Sequence, residues 1–335
     1  MVLVGTAMIE TVPLRWLDVD DPVPEGREVR VRVSACALCR TDLHVIEGEL
    51  PQRKMPVIPG HQVVGVVDAL GAQCTCLHPG QRVGIAWLRH TCGQCRFCAN
   101  GRENLCEEQR FTGYHADGGY AQYALVDERF AYEMPPQFAD VQAATLLCSG
   151  IVGYRALKRA NLPQGGKLAI YGFGSSAHLI AQIALSRGCE LYVVTRGNGH
   201  QQLARQMGAK WAGERADDMP VKVDSAIVFA PAGHLVPPAL ENLEKGGTLS
   251  LADIYMTPIP SIDYQKHIFY ERDIHTVTAN TRQDGRDFLA EAAAINIQPR
   301  TAIYRLDEAN RALLDLKRDR INGTAVLLVD SFASR

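Results

Sequence analysis

The feature that most constrains this chain is a glycine turn set between a short apolar strand and a helix. Residues 167–171 read as a strand, and Gly172-Phe173-Gly174-Ser175-Ser176-Ala177 follows at once. Residues 178–187 then place Leu179, Ile180, Ile183 and Ala184 on one helical face. A bare G-x-G-x-x-A is weak, but directly after a strand and opening a helix it is the fingerprint of a dinucleotide-binding βαβ unit. Gly172 makes the turn, Gly174 lets backbone approach a pyrophosphate, and the helix start at Ser175 and Ser176 carries positive partial charge. Further strands at 191–195, 226–230 and 248–252 alternate with helices at 201–207 and 236–243. That alternation predicts an α/β unit, a doubly wound parallel sheet of Rossmann type covered on both faces, over residues 149–294.

The pattern before residue 145 is different. Residues 28–35 alternate apolar and polar, and 63–67, 80–85 and 120–126 read as further short strands between Gly and Pro. A continuous helical spacing runs from 143 to 160. The reading is a β-rich domain over 1–148, rejoined by residues 295–335 with one helix (306–318) and one strand (325–329). A length of 335 residues suits two domains. With 47% hydrophobic and 21% charged residues, a disordered or fibrous chain is excluded. Thirty-five basic residues against 37 acidic ones give a net charge of -2. Nothing there argues for nucleic acid or an anionic membrane as a partner. No apolar run nears the ~20 residues of a membrane helix, and no leader pattern is visible, so the expected compartment is the cytoplasm.

Six of ten cysteines fall into metal-ligand settings. Cys92-x2-Cys95-x2-Cys98-x7-Cys106 packs four thiols into one short stretch, enough to wrap a tetrahedral zinc. Such a site has no open position, so its role is structural, in a lobe spanning 90–107. An iron–sulfur cluster would show other spacing, often with Pro after the last Cys, and Glu107 stands there. Cys36 ends a strand pattern and reads as core, while Cys74, Cys76 and Cys189 read as structural or free thiols.

Three other residues are too far apart for spacing to argue anything. Their neighbourhoods are Cys39-Arg40-Thr41-Asp42-Leu43-His44, Pro59-Gly60-His61-Gln62-Val63-Val64-Gly65 and Leu146-Leu147-Cys148-Ser149-Gly150. At these residues, and through the four-cysteine lobe and the glycine turn, the chain resembles zinc-dependent alcohol dehydrogenases of the medium-chain dehydrogenase/reductase family, essentially end to end. The resemblance implies a GroES-like catalytic domain joined to the Rossmann domain. It implies a catalytic zinc on Cys39, His61 and Cys148 with one open position, hence two zinc ions per chain. Two sulfurs and an imidazole plus water make a catalytic zinc pattern. A hydroxyl bound there is acidified, and its carbon can give hydride to a nicotinamide ring.

The same resemblance assigns neighbours. Asp42 accepts the other N–H of the zinc-bound histidine. Thr41 hydrogen-bonds the alcohol and passes its proton by way of the cofactor ribose to His44, a suitable terminal base. Arg40 meets the cofactor pyrophosphate. Thr41 and Trp87 narrow the substrate pocket, which favours primary alcohols and aldehydes over bulky secondary alcohols. Two departures stand out: Gln62 replaces the family's Glu after the histidine, and Thr324 stands where many members carry Arg.

The cofactor reading comes from the strand end at Val194-Thr195-Arg196-Gly197. An acid there would bind the 2′-hydroxyl of NAD(H). Thr195 and Arg196 stand instead, a hydroxyl and a guanidinium suited to a 2′-phosphate. NADP(H) is therefore preferred, with NAD(H) as the alternative carrier. The substrate is a small alcohol or aldehyde. A cinnamyl-type or polyol substrate is the alternative within the family, and a non-enzymatic zinc and nucleotide-binding protein is the alternative outside it. The family suggests a homodimer or homotetramer.

Overall fold

The computed structural model describes residues 1–329. The chain forms two compact units: Met1–Cys148 with Thr281–Ala290 and the stretch from Pro299 onward, and Ser149–Asn280 with Glu291–Gln298. Among the described residues, no helix is long and apolar enough to cross a membrane.

The first unit is built on a seven-stranded sheet. Its path runs Thr301–Arg305, Thr324–Leu328, Glu28–Ala37, Gln62–Leu70, Arg82–Ile85 and Ala131–Glu133, with Tyr123–Asp127 also paired to Glu28–Ala37. The alternation read from the sequence has its cause here: Val29, Val31 and Val33 point into the core and are fully buried, while the residues between them are not. Ala37 pairs antiparallel with Gln62. That register brings the residue just before the second strand, His61, to the sheet end from which the chain leaves towards Cys39. The short helix Arg40–Ile46 follows at once. Leu88–His90 pairs with Arg110–Phe111 and brackets the cysteine-rich loop.

The second unit holds a six-stranded, wholly parallel sheet in the order Trp211–Gly213, Glu190–Val194, Lys167–Tyr171, Val223–Val228, Leu243–Leu251, Asp273–Thr276. Numbered within the sheet this is 3-2-1-4-5-6, the dinucleotide-binding arrangement with its switch point beside the first strand. Lys167–Tyr171 is central, nearly continuous in apolar burial, and runs straight into the glycine turn.

Several elements differ from the sequence reading. The helix expected over 143–160 is broken: Asp140–Thr145 passes into a wide π turn, Leu146–Gly150, before Ile151–Arg159. Such a turn carries one extra residue and re-aims side chains, and this one contains Cys148. A helix at Arg282–Ala294 was not anticipated. The chain rejoins the first unit at Thr281, leaves it for Glu291–Gln298 and returns at Pro299, instead of crossing once near residue 295. The strands Asp273–Thr276 and Thr301–Arg305 were also missed.

Candidate active site

The ligand atoms of Cys39, His61 and Cys148 lie within 4.8 Å of one another. Cys39 caps the helix Arg40–Ile46, His61 leads into a central strand, and Cys148 sits in the π turn. All three belong to the first unit. A hydrogen bond from Cys148 and then the nearby His61 hold the Cys39 thiol well below its ordinary range, against the effect of burial. The Cys148 thiol is pushed up, by its bond to Cys39 and by burial. Burial pushes His61 down, but the Asp42 carboxylate and then the Cys39 sulfur outweigh it and raise the ring to about 10. The site thus gathers two sulfurs and a ring nitrogen, His61 Nε2, which is buried and has no hydrogen-bond partner among the described residues. A soft donor set of two sulfurs and one ring nitrogen fits zinc with one position left over.

Asp42 ties this site together. Its Oδ1 lies 3.0 Å from His61 Nδ1, and its Oδ2 accepts the Cys39 backbone N–H at 2.8 Å. Thr41 Oγ1 lies 3.6 Å from Cys39 Sγ. His44 is buried one turn further along the same helix, and its Nδ1 pairs with Glu49, whose side chain is 47% exposed and so meets water. Arg40 opens the helix and is exposed. Trp87 is buried with its ring edge-on to His61 at 4.8 Å. It stacks on Phe111 at 4.7 Å and faces Tyr114 at 5.9 Å, so a cluster of three aromatic side chains lies on the Trp87 side of His61. Gln62 is fully buried directly after His61. Tyr120, Glu49, Phe111 and Tyr114 were not singled out from the sequence. Nothing in the sequence links Tyr120 to Asp42, 78 positions away.

The four-cysteine loop closes on itself. Cys92, Cys95, Cys98 and Cys106 place their sulfurs within 4.8 Å of one another, with nearest pairs at 3.5, 3.5 and 3.9 Å. A tetrahedron of sulfurs ~2.3 Å from zinc has edges of ~3.8 Å, so the cage suits that ion. Backbone N–H groups point at these sulfurs: Cys95 N donates to Cys92 Sγ and Cys92 N to Cys106 Sγ, as thiolates require. Backbone donors also lower the Cys95 thiol to about 7. None of the ten cysteines is in a disulfide. Cys36 is fully buried, with its thiol pushed well above the ordinary range by burial and by the Asp42 charge. Cys74 gives its thiol to the Glu28 carbonyl, Cys76 is exposed, and Cys189 is buried.

In the second unit the glycine turn runs from Lys167–Tyr171 into the helix Ser175–Ser186. Gly172 has φ +89°, which a side chain would strain. A Cβ built on Gly174 would meet nothing within 4 Å, and no side chain caps the helix start. Open space before uncapped N–H groups is what a pyrophosphate needs. Ser175 donates to Ser149 Oγ at 2.7 Å; Ser176 is half-buried on the next position. Thr195 is turned inwards. Its hydroxyl accepts the Phe173 N–H at 3.3 Å and faces the Arg196 carbonyl. Arg196 itself is exposed, so of this pair the guanidinium is the group left for an anion. Thr324 is buried in its strand, its N–H bonded to the Arg300 carbonyl.

Comparison with known proteins follows the same lines. Residues 25–136 match the alcohol dehydrogenase GroES-like domain family. Over 326 residues the chain is 50% identical to "Probable alcohol dehydrogenase AdhA" of Mycobacterium tuberculosis, covering 96% of this chain and 94% of that protein. Its fold is similar to the alcohol dehydrogenase of Aeropyrum pernix, with a TM-score of 0.84, 27% identity and coverage of 95% and 97%. It is also similar to a cinnamyl alcohol dehydrogenase of Sorghum bicolor, with a TM-score of 0.86, 25% identity and 93% coverage of each.

Proposed function

The chain belongs to the alcohol dehydrogenases of the medium-chain dehydrogenase/reductase family, and from that premise we propose that it interconverts a small primary alcohol and its aldehyde, using zinc at Cys39, His61 and Cys148 and NADP(H) as hydride carrier. The observation that carries this reading is the meeting of three donors, 22 and 87 positions apart in sequence, around one buried point.

When bound, zinc supplies Lewis-acid polarisation of the substrate oxygen, and the dinucleotide accepts or returns hydride. The chain does the rest. Asp42 holds His61 in the tautomer that leaves Nε2 open. Thr41 offers a hydroxyl beside Cys39 to position the substrate hydroxyl and move its proton. His44 lies three residues on, on the same helical face, and with Glu49 forms the outlet towards water. Trp87 limits the width of the pocket. Arg196 neutralises a 2′-phosphate, which makes NADP(H) the preferred carrier. The cage of Cys92, Cys95, Cys98 and Cys106 holds a second zinc whose work is structural.

A larger aromatic alcohol of the cinnamyl type is the second reading. The stack of Trp87, Phe111 and Tyr114 offers it ring faces, and one solved relative is a cinnamyl alcohol dehydrogenase. Steady-state kinetics with both NADP(H) and NAD(H), over a panel of small, branched and aromatic aldehydes, tests the proposal. Turnover best with small aldehydes and NADPH supports it; turnover confined to bulky secondary substrates, or with NADH alone, refutes it. Homodimeric or homotetrameric assembly, open to check by sedimentation, and a cytoplasmic site of action complete the proposal.

A further inference from the structure

We infer that Tyr120 is a positioning residue of the Cys39–His61–Cys148 site, fixing through its hydroxyl the carboxylate that orients His61. This rests on the zinc reading above and adds a residue to it.

The hydroxyl of Tyr120 donates to Asp42 Oδ2 at 3.1 Å. Asp42 is 2% exposed, and Tyr120 and His61 are fully buried. A carboxylate in such surroundings needs every donor it can find. Asp42 has three of known identity, and they divide its work. The Cys39 N–H and the Tyr120 hydroxyl both sit on Oδ2, while Oδ1 faces His61 Nδ1 alone. Two donors on one oxygen pin the carboxylate plane, so the other oxygen is aimed at the histidine ring. Without the hydroxyl, one backbone N–H is left to resist rotation of the group.

The local backbone is shaped around this ring. Gly60, immediately before His61, has φ +93°. A Cβ there would come within 2.3 Å of the Tyr120 ring and 2.9 Å of Cys36 Sγ. A glycine is thus required next to the metal-site histidine so that the phenol can pass over the backbone and reach Asp42. The adjoining backbone contacts are tight as well: Gly119 N donates to the Gly60 carbonyl at 2.8 Å and Tyr120 N to the Pro59 carbonyl at 3.0 Å. The segment that carries Tyr120 is therefore bonded directly to the segment that carries His61. A phenylalanine would fill the same space, so a purely packing role leaves the hydroxyl unexplained.

Groups that orient a zinc-bound histidine typically change metal affinity by between about 10-fold and 100-fold when altered. The test is extraction of zinc from the purified holoenzyme by a competing chromogenic chelator, comparing wild type with Tyr120→Phe, Asp42→Asn and the double variant. Tyr120→Phe should release the Cys39–His61–Cys148 zinc at chelator concentrations about tenfold lower, while the four-cysteine zinc stays as tightly held as in wild type. In the Asp42→Asn background, Tyr120→Phe should add nothing, because both act through one carboxylate. Equal affinity of wild type and Tyr120→Phe for that zinc overturns the inference, as does full additivity with Asp42→Asn. Should Tyr120→Phe fail to fold, judged by loss of the four-cysteine zinc, 3-fluorotyrosine at position 120 keeps the shape and alters only the donor. An altered affinity then supports the inference and an unaltered one overturns it. A wild-type protein holding zinc only on the four cysteines would instead sink the zinc reading itself, a separate and recognisable outcome.

Discussion

The replacement Glu103→Gln probes how the four-cysteine loop is anchored. Glu103 lies inside that loop and is 8% exposed. It meets Arg282 through four donor contacts: the Arg282 backbone N–H at 2.7 Å and Nε at 3.1 Å on Oε1, and Nε at 3.0 Å and Nη2 at 2.6 Å on Oε2. The guanidinium also stacks over Phe130 at 4.5 Å. Glutamine keeps one acceptor oxygen but turns an N–H₂ towards Nη2, so two charge-assisted bonds are lost. Such bonds are worth ~1.5–3 kcal/mol each in buried settings. With the Arg282 side chain 27% exposed, solvent screening brings the total to about 2 kcal/mol. Burial pushes the Glu103 carboxyl up, but the donors of Arg282 outweigh it and hold it below the ordinary value. A depressed carboxyl contributes stability above its unfolded pKa of roughly 4.3, and that stability is lost as pH falls through the folded value. Urea unfolding, followed by release of zinc from the loop, should therefore show the variant's midpoint lower by ~1 M at pH 7. The gap from wild type should hold down to about pH 5 and close in stronger acid. An unchanged midpoint at pH 7, or a gap that persists undiminished in acid, refutes the reasoning.

Other expectations concern the sites themselves. Cys98→Ser should cost the loop its metal and destabilise the first unit, whereas Cys39→Ser should abolish turnover and leave the melting temperature within a few degrees of wild type; equal effects on melting contradict the assigned roles. Arg196→Asp should raise the Michaelis constant for NADPH at least tenfold more than that for NADH, measured by steady-state kinetics, and a uniform change would withdraw the cofactor assignment. Trp87→Ala should open the pocket wall and improve kcat/KM for branched secondary alcohols relative to small primary ones; an unchanged ratio places Trp87 outside the pocket.

What the sequence disclosed follows from where its signals are local. Lys167–Tyr171, the glycine turn and the helix after it are contiguous, and the apolar periods of strand and helix meet at Gly172. The four cysteines are equally local, and their spacing alone specifies a closed cage. The three dispersed donors were legible only through likeness to a family, because strand register and a π turn bring them together, and neither leaves a local trace. The helix Arg40–Ile46 escaped notice because it has no polar face: six of its seven residues are buried, so no amphipathic period exists. Arg282–Ala294 opens with Arg-Gln-Asp-Gly-Arg-Asp, which reads as loop, yet Phe288 and Ala292 are fully buried. Asp273–Thr276 is a mostly exposed edge strand with no alternation to read. Glu49 meets His44 locally, from five residues on, where the short helix ends, whereas Tyr120 meets Asp42 through a tertiary contact, which no spacing rule anticipates. The inward turn of Thr195 had the same cause, since its partner is the Phe173 N–H on the neighbouring turn.

The account turns on a metal ion held by Cys39, His61 and Cys148. Elemental analysis of the purified chain and of Cys148→Ser addresses it most directly. Two zinc ions per chain in wild type, one for each donor group, and a single ion in Cys148→Ser with no alcohol-dependent reduction of NADP⁺, is the predicted result. One zinc per chain in wild type, or no loss of metal in Cys148→Ser, would contradict it.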